Sequence, residues 1–255
     1  MANSQRPIAL ITGGSRGLGR SMAEHLAKQG VDLIITYRSR ADEADAVVKH
    51  AREAGARCAA LQLDVSDAST FGNFVERLQK ELRSSFDSDR FDYLVNNAGT
   101  GLHASFLETT EEQLDALVNI HLKGPFLLTQ KLVPLLRDGG RILNVSSGLA
   151  RFTLPGYGAY AAVKGAIEVL SRYQAKELGE RKITVNTLAP GAIATDFGGG
   201  VVRDNPQVNA MVAAATALGR VGQPDDVGAA VALLLSPGSA WITGQRIEVS
   251  GGQSL

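Results

Sequence analysis

PIALITGGSRGLG, residues 7–19, decides how the chain is read. PIALIT (7–12) is an apolar run of strand length. It breaks on glycines, and RSMAEHLAKQG (20–30) then follows with a helical period. Glycines let a backbone turn tightly and approach a pyrophosphate, whose charge the amides of a helix N-terminus accept. Glycine-rich turns are common, but one placed after the first strand and before a helix points to a dinucleotide. Gly13, Ser15, Arg16, Gly17, Leu18 and Gly19 are therefore candidate cofactor-binding residues.

The pattern continues outward. Further apolar runs are VDLIIT (31–36), CAALQLD (58–64), FDYLVNN (91–97), RILNVSS (141–147), ITVNTLA (183–189) and RIEVS (246–250). Longer amphipathic stretches such as ADEADAVVKHAREAG (41–55) separate most of them, and Gly30 and Gly55 close the first two helices. Such alternation predicts an α/β fold with a parallel sheet covered on both faces, and near-continuous Val/Ile/Leu strands agree with it. An open doubly wound sheet and a closed α/β barrel both fit this length. About seven strands and the first turn favour the open, Rossmann-like sheet, as a single domain over 1–255. The run GGG (198–200) reads as a hinge inside a loop.

Composition narrows the function classes. The 255 residues carry 26 basic and 26 acidic side chains, which gives no electrostatic footprint for nucleic acid. No apolar run reaches the ~20 residues of a membrane span; VGAAVALLL (227–235) comes nearest. The single cysteine, Cys58, forms no internal disulfide and reads as a small buried residue. The expectation is a cytoplasmic protein with a small-molecule substrate, no nucleic-acid or membrane partner and no metal, since no His/Cys/Asp cluster has ligand spacing.

The end of the second strand selects the dinucleotide. A cofactor lacking a 2′-phosphate wants an acid there for the ribose hydroxyl. TYRSR (36–40) has none: Asp32 is at the wrong end of the strand and Asp42 lies in the next helix. Arginine pairs well with phosphate. Arg38 and Arg16 are therefore expected to hold the 2′-phosphate of NADP(H), flanked by Tyr37 and Ser39, with Arg40 solvated.

Thr12-Gly13-x-x-x-Gly17-x-Gly19, NNAG (96–99), Tyr160-x-x-x-Lys164, PGAIAT (190–195) and the ending ITGQRIEVSGG occur in this order. Together they resemble the short-chain dehydrogenase/reductase family in its compact branch, with the nearest look to 3-oxoacyl-carrier-protein reductase types. The resemblance spans about residues 7–252. It implies an NADP(H)-dependent oxidoreductase moving a hydride between nicotinamide and a carbonyl or secondary alcohol. Tyr160 is then the acid/base. A free phenol has a pKa of ~10, which a nearby cation lowers. Lys164, one helical turn on, is placed to supply that cation and to bind the nicotinamide ribose. Ser147, about 13 residues before the tyrosine, is the expected binder of substrate oxygen. Neighbouring Ser146 faces the other way. Asp64 and Val65 meet the adenine; Asn97, Ala98 and Gly99 the adenosine ribose and the nicotinamide side; Pro190, Gly191, Ile193 and Thr195 the carboxamide and phosphates. Family members are usually homo-oligomers, tetramers or dimers.

One position departs from the pattern. In VNIHLKGPF (118–126) the family's catalytic asparagine is replaced by His121, and Asn119 lies two residues earlier. His121 keeps the backbone carbonyl that supports a proton relay, and its imidazole would add a titration near neutral pH. The competing reading is a ring that is merely packed. His25 and His50 are expected on the surface, and His103 in a loop near the substrate. The loop 196–215 reads as a mobile lid, and 148–157 with Phe152 and Tyr157 as a partly apolar pocket wall. A serine hydrolase is disfavoured, because Ser147 lies in no G-x-S-x-G and no histidine follows it. A non-catalytic NADP(H) sensor or scaffold is the alternative, with His121 the only mark in its favour; an intact tyrosine–lysine pair argues against it. A sugar-nucleotide epimerase or dehydratase wants an additional C-terminal domain.

Overall fold

The structure, a computed structural model, describes residues 6–255, so residues 1–5 of the expected domain lie outside the described residues. Seven strands form one parallel sheet: β1 (Ile8–Ile11), β2 (Asp32–Tyr37), β3 (Cys58–Gln62), β4 (Phe91–Asn96), β5 (Leu136–Val145), β6 (Thr184–Pro190) and β7 (Arg246–Val249). Their order is β3-β2-β1-β4-β5-β6-β7. The sheet is open, with β3 and β7 as its edges, which decides against the barrel. The strand order reverses beside β1, where open α/β sheets bind ligands at the strand C-termini.

Helices cover both faces: α1 (Gly17–Lys28), α2 (Ala41–Glu53), α3 (Phe71–Phe86), α4 (Glu111–Val118), α5 (Gly124–Leu132), α6 (Gly158–Leu178), α7 (Val201–Asp204), α8 (Pro206–Ala214) and α9 (Pro224–Leu234). Two cores result. On one face Met22, Leu26, Val47, Val227 and Val231 pack on Ile11, Leu33 and Ile35; on the other, Phe71, Phe74, Leu78 and Leu82 pack on Leu10, Ile34 and Leu94. Consecutive residues of β1 and β2 alternate between these cores, so both faces of each strand are apolar.

Several expectations need correction. β3 stops at Gln62, leaving Asp64 and Val65 in the following turn. β5 starts at Leu136 and ends at Val145, so Ser146 and Ser147 lie just past the strand. The expected lid contains two helices, α7 and α8, after a turn in which Gly198, Gly199 and Gly200 take φ of 63°, 78° and 78°. His25 is half-buried, because α9 packs on α1 through Gly228; a Cβ there would lie 2.6 Å from His25 Nδ1. His50 is exposed and Cys58 buried, as expected. Asp32 is fully buried and ion-paired to Arg57 at 2.7 Å, at the strand end away from the glycine turn.

Candidate active site

The glycine turn is pinned from two sides. Thr12 Oγ1 accepts from the amides of Asn97 and Ala98, both at 3.0 Å. Asn97 Nδ2 donates to the carbonyls of Thr12 and Gly13 at 2.9 and 3.0 Å. From β2, Thr36 Oγ1 accepts the Gly13 amide at 3.1 Å. Gly13 takes φ +65°, and a Cβ on Gly19 would sit 2.2 Å from the Gly13 carbonyl oxygen. The turn is therefore too tight for side chains at these positions. Arg16 precedes α1 in extended conformation without a side-chain cap, and no acid occupies the first helical turn. The positive helix end thus faces outward uncompensated, an arrangement that fits a pyrophosphate.

Other predicted cofactor residues gather along the same strand ends. Arg16, Arg38 and Ser39 are exposed, and Tyr37 and Ser15 half-buried. Asp64 lies within reach of Arg38: burial opposes its ionisation, but bonds from Ser66 and the Arg38 charge hold its carboxyl below the usual range. Arg40 pairs with Asp42 and Glu43, and so is engaged away from any ligand. Ile193 bridges to Gly222, while the buried Thr195 accepts the Phe197 amide at 3.2 Å. The Gly191 amide bonds the Val249 carbonyl at 3.0 Å, fixing the turn after Pro190.

Tyr160 and Lys164 both lie on the buried face of α6, with Lys164 Nζ 5.6 Å from the Tyr160 ring centroid. Ser147 follows β5, and its hydroxyl engages the Tyr160 phenol. Ser147 Oγ also accepts the Leu149 amide at 3.2 Å, which leaves its proton for the Tyr160 phenol. Ser146, by contrast, is buried and donates to Glu168 at 2.7 Å. Of the two serines, Ser147 is the one whose hydroxyl acts on the Tyr160 phenol.

The electrostatics differ from expectation. Burial pushes the Tyr160 phenol above its usual range, and only the Ser147 contact pulls it back. Lys164 is itself 5% exposed, donates to the Val145 carbonyl at 2.9 Å, and is pushed down to about 7 by burial. The expected lowering of the phenol by the lysine is corrected: desolvation dominates, and the opposing pull comes from Ser147.

His121 sits in a π-helical turn, Asn119–Lys123, between α4 and α5. Its ring is 2% exposed and lies under Gly99, where a Cβ would come within 2.6 Å of Cε1. Nε2 is 2.7 Å from the Thr100 carbonyl, which only accepts, so Nε2 carries the proton. Nδ1 is buried without a hydrogen-bond partner. Burial first, and the Lys164 charge second, push the imidazole down to about 3. The expected titration near neutral pH is corrected: the ring stays neutral and packed.

Sequence reasoning missed Thr36, whose hydroxyl supports the glycine turn from another strand. It also missed Phe197, half-exposed at 5.8 Å from the Tyr160 ring and packed over Gly101, and Thr100, the partner of His121. His103 is exposed and meets the Tyr157 ring edge-on at 5.0 Å, so it and Tyr157 form one wall. Among the described residues no group of three His, Cys, Asp or Glu side chains has metal-binding geometry, and no helix is long and apolar enough to cross a membrane.

Comparison with known proteins agrees with this geometry. A family model described as enoyl-(acyl carrier protein) reductase matches residues 13–254. The hydroxynaphthalene reductase-like protein Arp2 of Metarhizium brunneum is 36% identical over 256 residues, covering 96% of this chain and 94% of its own. The 3-oxoacyl-(acyl-carrier-protein) reductase FabG of Staphylococcus aureus is 36% identical over 249 residues, 97% of this chain and 98% of its own. The solved structure of the angucycline C-6 ketoreductase LanV with bound NADP superposes with a TM-score of 0.92 at 34% identity, over 97% of this chain and 95% of that one. With its open seven-stranded sheet, its glycine turn and its serine, tyrosine and lysine brought to the strand ends, the chain belongs to the short-chain dehydrogenase/reductase family of oxidoreductases.

Proposed function

We propose that the protein is an NADP(H)-dependent carbonyl reductase, with Tyr160 as the proton donor. The observation that carries this reading is the meeting of Ser147 and Tyr160 over the buried Lys164, at the strand ends beside the glycine turn. NADP(H) is the cofactor: the solved relative LanV binds NADP, and Arg16 and Arg38 lie exposed where an acid would serve NAD instead. When bound, it supplies the hydride that reduces the carbonyl carbon. Burial keeps the phenol protonated, so the proton that the carbonyl oxygen takes up is in place. Ser147, which accepts the Leu149 amide, donates a hydrogen bond to that oxygen. Lys164, pushed down to about 7 and held by one carbonyl, gives up a proton readily and so restores the phenol. His121 holds the Gly99–Thr100 segment to the π-helical turn as a neutral donor.

The substrate class that fits is a fused-ring aromatic ketone. Phe197 stands beside Tyr160 and Phe152 packs on Gly148, so flat apolar side chains border the reacting phenol. Arp2 and LanV are named for such ring systems, whereas FabG is named for 3-oxoacyl chains. NADPH oxidation with 2-tetralone and with ethyl acetoacetate separates the two. Turnover of 2-tetralone at higher kcat/KM supports the fused-ring reading, and a preference for ethyl acetoacetate overturns it.

The chain acts in the cytoplasm as a homo-oligomer, a dimer or tetramer. Large apolar side chains stand exposed for such contacts: Trp241 at 98%, Leu107 at 91%, Phe106 at 89% and Leu233 at 66%. Sedimentation velocity of the purified chain tests this; a monomer at micromolar concentration rejects it.

A further inference from the structure

Arg246, on β7, reaches back to the turn that carries Ser147. Its Nε donates to Glu168 Oε1 at 2.8 Å and one terminal nitrogen to Glu248 Oε2 at 2.7 Å; the other meets the Ser147 carbonyl oxygen at 3.3 Å. The same Glu168 oxygen accepts from Ser146 Oγ at 2.7 Å. The two residues on either side of the peptide bond from 146 to 147 are thus tied to one ion pair. Glu168 is also one helical turn beyond Lys164 on α6.

The pair is anchored in turn. Arg151 grips both oxygens of Glu248 at 2.8 Å and donates to the carbonyls of Gln253 and Ser254 at 2.8 and 3.0 Å. Arg151 beside Glu248 holds that carboxyl down to about 2, so the anchor stays charged across the physiological range. The side chains of Arg246, Glu168 and Glu248 are 22%, 13% and 20% exposed. Partly buried ion pairs of this kind cost desolvation, and apolar replacements are often as stable. What they give here is position. A hydrogen-bond donor to a developing oxyanion works only when it is fixed within a few tenths of an ångström.

We propose that Arg246 is a positioning residue for Ser147: together with Glu168 it clamps the Ser146 side chain and the Ser147 carbonyl and aims the Ser147 hydroxyl at Tyr160 and the substrate oxygen. The proposal rests on the reading of Ser147 and Tyr160 as the reacting pair. It extends the active site to the sheet edge and the C-terminal segment, through contacts spanning 78 and 99 residues of sequence.

The test is a double-mutant cycle on the full chain. Arg246→Met, Arg246→Lys, Ser147→Ala and the Arg246→Met/Ser147→Ala double variant are compared in NADPH-dependent reduction of 2-tetralone. NADPH affinity is followed by fluorescence and folding by melting temperature. Arg246→Met is expected to lower kcat about tenfold with NADPH affinity unchanged. Arg246→Lys, which keeps the charge but loses the fork, recovers part of the loss. In the Ser147→Ala background Arg246→Met costs less than about twofold. Equal losses in both backgrounds, or no loss in the wild-type background, overturn the proposal. A Ser147→Ala variant with full activity instead overturns the reading beneath it. Crystal structures of Arg246→Met and Arg246→Lys decide the point without turnover: a Ser147 hydroxyl displaced from Tyr160 supports the clamp, and an unmoved one rejects it.

Discussion

The imidazole of His121 stands edge-on to the ring of Tyr160, with centroids 5.3 Å apart and planes at 90°. This contact places an imidazole directly beside the phenol. Its meaning depends on charge. Burial pushes His121 down to about 3, so at neutral pH it is an uncharged ring tied to Thr100 through Nε2.

Two outcomes follow for His121. Its pKa is lower in the folded chain than in the unfolded one, so the stability it confers is fully present above about 6.5 and is lost as pH falls towards 3. His121→Asn is expected to flatten the decline in melting temperature across that acid window. The pH–rate profile between about pH 6 and 8 is expected to keep its shape, because the ring does not titrate there. A profile that loses a limb in the variant would return the imidazole to the relay.

Lys164 carries the opposite lesson about cost. Its pKa is about 7 in the folded chain and 10.5 as a free lysine. Between those values the unfolded chain binds more protons, so stability rises with pH across the window and the full penalty stands below it. Lys164→Met is expected to raise the melting temperature of the cofactor-free protein at neutral pH by roughly 5 °C, while abolishing reduction. The gain should shrink as pH approaches 10.5. A variant that melts lower than wild type at pH 7 would show that the Val145 bond outweighs desolvation.

The glycine turn allows a sharper steric outcome. Gly19→Ala places a methyl against the Gly13 carbonyl oxygen and 2.6 Å from Asn97 Nδ2. Backbone must move, because the nearest obstacle is backbone. The variant is expected to weaken NADPH binding at least tenfold and to lose about 2 kcal/mol of stability. Gly72→Ala, with nothing within 4 Å, serves as the control and should bind normally.

The proposed cofactor choice rests on two exposed arginines, which on this reading act through the ligand rather than through stability. Arg38→Ala and Arg16→Ala are each expected to raise KM for NADPH about tenfold and to leave KM for NADH within twofold. Titration of each variant with both cofactors checks it. An equal loss for NADH would assign the arginines to the shared pyrophosphate instead.

Much of this was legible in the sequence because it is local. The strand–turn–helix from 7 to 30 lies in contiguous residues, and Tyr160 and Lys164 share a helix face by spacing alone. The start of β5 was not: the apolar run begins at Arg141, but the strand begins at Leu136 and runs through Gly139, which has φ +76°. A strand beginning there is held by neighbours, with Leu136 paired to Phe91. The His25 misreading has the same cause, since helix periodicity in α1 does not reveal a second helix packing on it. The π-helical turn at His121 ends at Gly124, which packs on the Val65 carbonyl, a contact 59 residues away in sequence that no spacing rule announces. The Arg246 clamp likewise joins residues that only the sheet brings together. Charge at the active site was misjudged because desolvation of Tyr160, Lys164 and His121 depends on burial, and burial is a property of the whole fold.

The most direct test of the central claim is NADPH oxidation by wild type and Tyr160→Phe with 2-tetralone, alongside NADPH binding by fluorescence. The account predicts turnover that falls at least a thousandfold in the variant while NADPH affinity stays within about twofold, because the phenol acts on the proton and not on the cofactor. A variant that keeps its turnover would contradict Tyr160 as the acid. Tight NADPH binding by wild type without reduction of any ketone would make the protein a sensor rather than a reductase.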